Sequence, residues 1–367
     1  MLEQIRGEGG RILDLTESNP TRAGFSYPGA EISKALNNPR ALRYEPDPLG
    51  MESARQAVAA YYAARGVEVS LSRILLTAST SEAYGYLFKL LTAPEDEVLI
   101  PRPSYPLFDF LAGLESVRVS QYPLRYDGAW HIDFHALEGM IGPKTRAIII
   151  VNPNNPTGHY LKQAEFGRLE ALAVRHDLAL ISDEVFSDYA FSADPQRETM
   201  VANRGNALAF SLSGLSKDAG LPQMKLGWMV ASGAGAEEAM SRLELIADTY
   251  LSVNAPVQVA LPKLLEVGSG IREQILARTA GNLWRLHHVL ARSPANPLHV
   301  EGGWYAAIQM PRTRSEEEWA ANLLGRQEVL VQPGYFFDFE SEAFLVVSLL
   351  TPPGVFDEGL QRLRAIL

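Results

Sequence analysis

The sequence predicts an α/β protein with a large domain, built on a mostly parallel seven-stranded sheet sandwiched by helices, and a small α+β domain. Three observations carry this expectation. Seven short apolar runs, ILLTA, EVLI, SVRVS, RAIIIV, LALIS, ALAFS and LGWMVAS, recur between residues 74 and 232, most of them separated by helical or loop stretches. Such alternation buries a largely parallel sheet under helices. A second group of strand signals, YAAIQM, VLVQP and FLVVSL, follows a long amphipathic run from Ile271 to Arg292, which reads as a helix leading into a second unit. Finally, 367 residues of which 47% are hydrophobic suffice for one large core and one smaller one. The expected boundaries are 37–268 for the large domain, with 1–36 and 269–367 forming the small one.

Taken in order, ILDLTESNPTRAGF (12–25) reads as a short strand and then a polar, proline-containing segment that packs with the small domain. Tyr44 to Gly50 is turn-rich, and a helix begins near Met51, where alanines and a valine repeat at helical spacing. A further helix is expected from Glu82 to Leu91. His131 and His135 have the spacing of helical metal ligands, but they straddle Asp133, which reads as a helix cap, so no metal site is expected. TYLSVNAPVQVALPKLLEVG (249–268) reads as the exit from the large domain. There is no internal repeat and no low-complexity tract.

Composition narrows the function. The chain has no cysteine, which excludes disulfides, thiolate metal sites and thiol nucleophiles. A net charge of -10 without a lysine or arginine cluster argues against nucleic acid, whose phosphates must be neutralised over a broad surface. The first residues lack the apolar core of a secretory signal and no run approaches membrane-spanning length, so a cytoplasmic protein with no membrane partner is expected.

In parallel sheets ligands sit beyond the carboxyl ends of the strands. The segments found there are TASTSEA (77–83), PRPSYPLF (101–108), NPNNPTG (152–158), SDEVF (182–186) and SLSGLSKDAGLPQMKLGW (211–228). The last places Lys217 in a loop punctuated by serine and glycine. A nucleophilic lysine must lose its proton and hold a fixed position, and such a loop lets backbone approach a ligand closely. Ser79, Thr80 and Ser81, between a strand and a helix, could cradle a phosphate or supply one ordinary N-cap. Asp183 could be a turn or helix cap, Asn155 a turn residue before Pro156, and Tyr105 a core aromatic.

In this order the segments resemble the pyridoxal-phosphate-dependent aminotransferases of fold type I, the class I and II family, from about Asp14 to about Leu350. The resemblance implies bound pyridoxal 5'-phosphate, with Lys217 as the catalytic residue that carries it as a Schiff base and moves the substrate proton. It implies Asp183 facing the pyridine nitrogen, Asn155 donating to the phenolic oxygen, and Tyr105 stacked on the ring. Ser79, Thr80, Ser81, Ser216 and Lys225 are implied around the phosphate, with Tyr44 reaching it from a neighbouring subunit of a homodimer. Gly334 in QPGYFF and the segment GGWYAA match small-domain positions near the substrate.

Four positions depart from the family pattern. Lys225, eight after Lys217, stands where an arginine is usual, giving charge without a planar fork. Gly214 replaces a serine, and Phe186 a tyrosine that donates to the phenolic oxygen, so the pKa of the lysine–cofactor linkage is expected to be raised. Val346 stands where an arginine pairs with the substrate carboxylate. Arg22 is the candidate replacement, with Ser18 and Asn155 also near the substrate. The function expected is ping-pong transfer of an amino group from an amino acid to a 2-oxo acid. A carbon-sulfur lyase or decarboxylase using the same cofactor is the first rival, and a non-catalytic ligand sensor the second.

Overall fold

The computed structural model describes residues 2–7 and 9–367. Among the described residues there are fourteen strands: β1 (Leu13–Asp14), β2 (Ile74–Thr77), β3 (Glu97–Arg102), β4 (Arg118–Tyr126), β5 (Trp130–Ile132), β6 (Thr145–Val151), β7 (Ala179–Asp183), β8 (Ala209–Gly214), β9 (Gly227–Ser232), β10 (Asn296–Pro297), β11 (Tyr305–Gln309), β12 (Val329–Leu330), β13 (Gln332–Pro333) and β14 (Phe344–Ser348). The main sheet has the order β2-β9-β8-β7-β6-β3-β4-β5. Each of the seven apolar runs supplies one strand. β8, β7, β6, β3 and β4 are mutually parallel, and β9 runs against both of its neighbours. An eighth strand, β5, folds back on the end of β4 in antiparallel register. Its three residues are too few to show a period in the sequence.

Alternate residues of the central strands serve two cores, as the pleat requires. Ala147, Ile149 and Val151 of β6 join one cluster with Val98 and Ile100, while Ile148 and Ile150 join another with Leu99. Helices Thr80–Leu91, Phe108–Leu114 and Ala236–Tyr250 cover the first face; Phe134–Met140 and Gln163–His176 cover the second. Asp133 caps Phe134–Met140, its carboxylate accepting from Ala136 N at 3.0 Å, so His131 lies in β5 and His135 in the helix.

The segment read as a domain exit is largely helical. One helix runs from Ala255 to Leu290, and its start is set by Asn254, whose side chain accepts from Val257 N at 3.1 Å. Pro262 lies inside it. A proline there removes one intrahelical donor, which is why the stretch 249–268 looks like a break in sequence. The helix ends against a smaller antiparallel sheet, β10-β11-β14-β13, covered also by Glu316–Gln327 and Pro353–Arg364.

The N-terminal segment is stitched to this sheet. β1 pairs in parallel with β12, Leu15 N donates to Leu330 O at 2.9 Å, Ser348 N donates to Leu15 O at 2.7 Å, and the Ser348 hydroxyl donates to Glu17 O at 2.6 Å. Ser18 is thereby placed on the wall of the cavity described next.

Candidate active site

A cavity of about 900 Å³ opens at the carboxyl edge of the main sheet, closed on its far side by residues of β11, β13 and the turn Gly334–Phe337. The sheet brings its chemistry-bearing residues there by register. Thr77 ends β2, Asp183 ends β7 and Gly214 ends β8, while Gly227 begins the opposed β9 and pairs with both Thr77 and Gly214.

Lys217 does not lie in an open loop but in a single helical turn, Leu215–Asp218. Three contacts fix that turn: Tyr189 OH donates to Lys217 O at 2.5 Å, the Ser213 hydroxyl donates to Asp218 at 2.5 Å, and Arg272 donates to Asp218 O at 3.0 Å. The ammonium lies 4.7 Å from the ring centre of Trp304 and 5.7 Å from that of Phe186. Burial among these rings pulls its pKa down to about 8, against the opposing charge of Asp183. Roughly one molecule in ten then carries a free amine at pH 7, against fewer than one in a thousand for a solvated lysine.

The Asp183 carboxylate, on the adjacent strand, accepts from Tyr84 OH and from Val185 N, each at 3.3 Å. Burial pushes its pKa up to about 6, and these two donors and the lysine charge hold it from rising further. It is therefore mostly ionised at neutral pH and poised to gain from a cation placed against it. Asn155 is buried on the wall, and its Oδ1 has no hydrogen-bond partner.

At the other end, Ser79 caps the helix Thr80–Leu91, its hydroxyl accepting from Glu82 N at 3.2 Å, and Glu82 reaches back to Ala78 N at 2.6 Å. The helix starts two residues earlier than expected, so Thr80 and Ser81 belong to its first turn, whose N–H groups have no acceptor within the helix. With Ser216 and Lys225 also on the wall, this end gathers hydroxyls, free N–H groups and a cation, the donor set that suits an anion such as phosphate. The fit is close: a Cβ on Gly227 would stand 3.2 Å from Ser79 C and 3.3 Å from Thr80 N. A Cβ on Gly214 would meet Gly227 Cα at 2.8 Å, which explains why no serine occupies position 214. Lys225 adopts φ 50, closing the short turn Pro222–Met224.

Tyr105 stands at the rim, 45% exposed, and Phe186 is buried edge-on against Trp304 at 5.2 Å. Of the residues expected on this wall, Arg22 is not there. Tyr44, expected to serve a neighbouring subunit's site, is 83% exposed and lines a separate depression with Met51 and Ser252. Arg22 follows a turn in which the N–H groups of Arg22 and Ala23 both donate to Asn19 O; Ala23 is buried, so Arg22 is turned outward, 3.9 Å from Glu17. Sequence reasoning missed Tyr84, Trp304, Asp109, Asp338 and Gln332. Of these Trp304 and Gln332 fell in flagged segments, GGWYAA and QPGYFF, though neither was itself named. Tyr84 had no signal, because 99 residues separate it from Asp183.

Comparison with known proteins places the chain in a family. Residues 12–363 match the family described as Aminotransferase class I and II. A glutamate-pyruvate aminotransferase of Escherichia coli K12 is 29% identical over 276 residues, 74% of this chain and 68% of its own. Mouse tyrosine aminotransferase is 25% identical over 367 residues, 96% of this chain and 80% of its own. The crystal structure of an Escherichia coli aminotransferase superposes with a TM-score of 0.87 at 25% identity, covering 99% of this chain and 92% of that one. With a family match over nearly its whole length, and a cavity that gathers the motifs singled out in the sequence, the chain belongs to the class I and II aminotransferases, a family of pyridoxal-phosphate-dependent enzymes.

Proposed function

We propose that this protein moves an amino group from an amino acid to a 2-oxo acid in two successive half-reactions at one cavity, with pyridoxal 5'-phosphate held covalently through Lys217 Nζ. The observation that carries the reading is the convergence of a lysine with a lowered pKa and a buried carboxylate on one cavity from adjacent strands. The residues present fit the cofactor: a phosphate cradle too tight for a side chain at 214 or 227, a buried amide at Asn155 on the cavity wall, and an anion at Asp183.

When bound, pyridoxal phosphate supplies an electron-withdrawing ring that stabilises negative charge on the substrate carbon. The Ser79, Thr80, Ser81 and Ser216 hydroxyls and the Lys225 ammonium would hold the phosphate, with Tyr44 of a second copy completing that end in a homodimer. Asp183 would hold a proton on the ring nitrogen by charge, its orientation set by Tyr84. Asn155 would donate its amide N–H to the phenolic oxygen, and Phe186 adds no donor there. Tyr105 would cover the ring face. Lys217 Nζ, once free, would take the proton from the substrate carbon and return it elsewhere, a task suited to a group near pKa 8.

Two results follow. Capture of pyridoxal phosphate by cofactor-stripped protein requires the free amine, so its rate is expected to rise with pH through a single step near 8. At pH 6 it should be about a hundredth of its alkaline plateau. A step at the ordinary lysine value, followed by stopped-flow absorbance, would show that Lys217 is not the capturing group. Second, mixing loaded protein with amino acids and no acceptor is expected to release one equivalent of oxo acid per subunit and stop until a 2-oxo acid is added. Continuous release of pyruvate with ammonia, or of carbon dioxide, would replace transfer by lyase or decarboxylase chemistry.

A further inference from the structure

The far wall of the cavity is made by residues of β11, β13 and the turn Gly334–Phe337, with β14 paired between the two strands, and its polarity differs from that of the cradle. Among the described residues, the cations lining the cavity are Lys217 and Lys225. Both come from the stretch after β8, opposite this wall. β14 presents Val346 toward the large sheet: it joins the core cluster that contains Ala307, Phe337 and Phe344, while Leu345 and Val347 face the other way. Val346 has Ala307 on one side and Gln332 on the other as its direct cross-strand partners. Gln332 lines the cavity, and its Oε1 is buried without a hydrogen-bond partner. Tyr305, two residues before Ala307, lines the same wall, and burial pushes its pKa up to about 12, so it stays neutral. Beyond them Asp109 and Asp338 close the outer part, with Asp338 fixed by Gln121 at 2.8 Å; burial and the charge of Asp338 raise the pKa of Asp109.

The Gln332 amide can donate its N–H groups to a carboxylate, but it brings no charge to offset desolvation of one, whereas a group that both donates and accepts also satisfies the unpartnered Oε1. A carboxylate set against this wall would also lie in a partly desolvated place with neutral Gln332 and Tyr305 nearest and two acids further out. A carboxamide or a hydroxyl both donates to and accepts from a glutamine amide. We propose that Gln332 is a specificity-determining residue, and that the amino compound for which this wall is shaped carries a neutral hydrogen-bonding group, a carboxamide or hydroxyl, where an α-amino acid carries its carboxylate. The inference rests on the transamination reading and replaces one half of its substrate pair: one of the two exchanging partners is an amine, with its oxo counterpart, that is not an α-amino acid. The aromatic lining, with Phe108, Phe186 and Phe337 beside Tyr105 and Tyr305, suits an apolar body on that compound.

The test uses cofactor-loaded protein and two ligands without an amine, 3-phenylpropanamide and 3-phenylpropanoate, titrated by calorimetry at neutral pH. The amide is expected to bind about tenfold tighter or better. Gln332→Leu should bring the two within about threefold, and Gln332→Lys should favour the carboxylate by about tenfold. An amide preference below about threefold in the unaltered protein overturns the proposal. If neither ligand binds, L-alaninamide and L-alanine are compared through the absorbance change of the bound cofactor, with the same threshold. Borohydride reduction and peptide mapping separate the two levels. A label missing from Lys217 removes the transamination reading whatever the ligands do, whereas a label on Lys217 with a preferred carboxylate removes this inference alone.

Discussion

Lys217→Ala is expected to lower kcat for amino transfer by about 10⁴-fold or more, since in the proposed mechanism one side chain would both anchor the cofactor and move the proton. That factor is about 5 kcal/mol of barrier. The variant should still bind pyridoxal phosphate through the cradle, but borohydride should leave no modification on the peptide 211–228. Folding should survive. The ammonium faces the cavity rather than a packed core, and its depressed pKa means that below about pH 8 the native protein holds a charge it would be easier to lack. Turnover within tenfold of the unaltered enzyme, or a reduced adduct on another lysine, would remove the chemical centre proposed here.

Asp183→Asn should separate activity from stability. Asparagine keeps the shape and can still accept from Val185 N, but it carries no charge to set against a ring proton. We expect kcat/KM to fall by about 10³-fold, near 4 kcal/mol, a loss typical of removing an electrostatic stabiliser from a desolvated site. The cofactor-free variant should melt higher than the unaltered protein at neutral pH. The sign follows from linkage: the native pKa, about 6, lies above the ordinary carboxyl value of 3.8, so the stability this group gives is present below the latter and lost as pH rises through 6. The gap in Tm should therefore open across that interval and stay constant above it. A calorimetric series showing no gap, or a variant with full kcat/KM, would contradict the placement of Asp183.

Much of the large sheet was legible because its strands are buried on both faces, which makes RAIIIV or LGWMVAS apolar without interruption. β5 escaped because three residues of an edge strand carry no period. The start of the long helix escaped because Pro262 and Pro256 look like breakers in sequence, whereas Asn254 and a proline in the first turn make an ordinary helix start. At the site, residues carried on strand ends were readable, since Lys217, Asp183, Asn155 and Ser79 each follow a recognisable run. Tyr84, which orients Asp183, was not, because its role arises from the crossing of a helix over a distant strand. Arg22 shows the opposite error: its charge suggested a carboxylate partner, but the burial of Ala23 beside it decides its direction. The Gly214 departure became intelligible only through the contact with Gly227, a pairing that no local pattern encodes.

The stitching of residues 13–18 to β12 and β14 has a consequence for biogenesis. A nascent chain that stops short of Ser348 already holds the lysine, the aspartate and the serines, yet the segment carrying Ser18 has nothing to hang from until Ser348 has left the ribosome. The strand-end residues are laid down early, but the chamber acquires this part of its wall only when residues 13–18 have met β12 and β14.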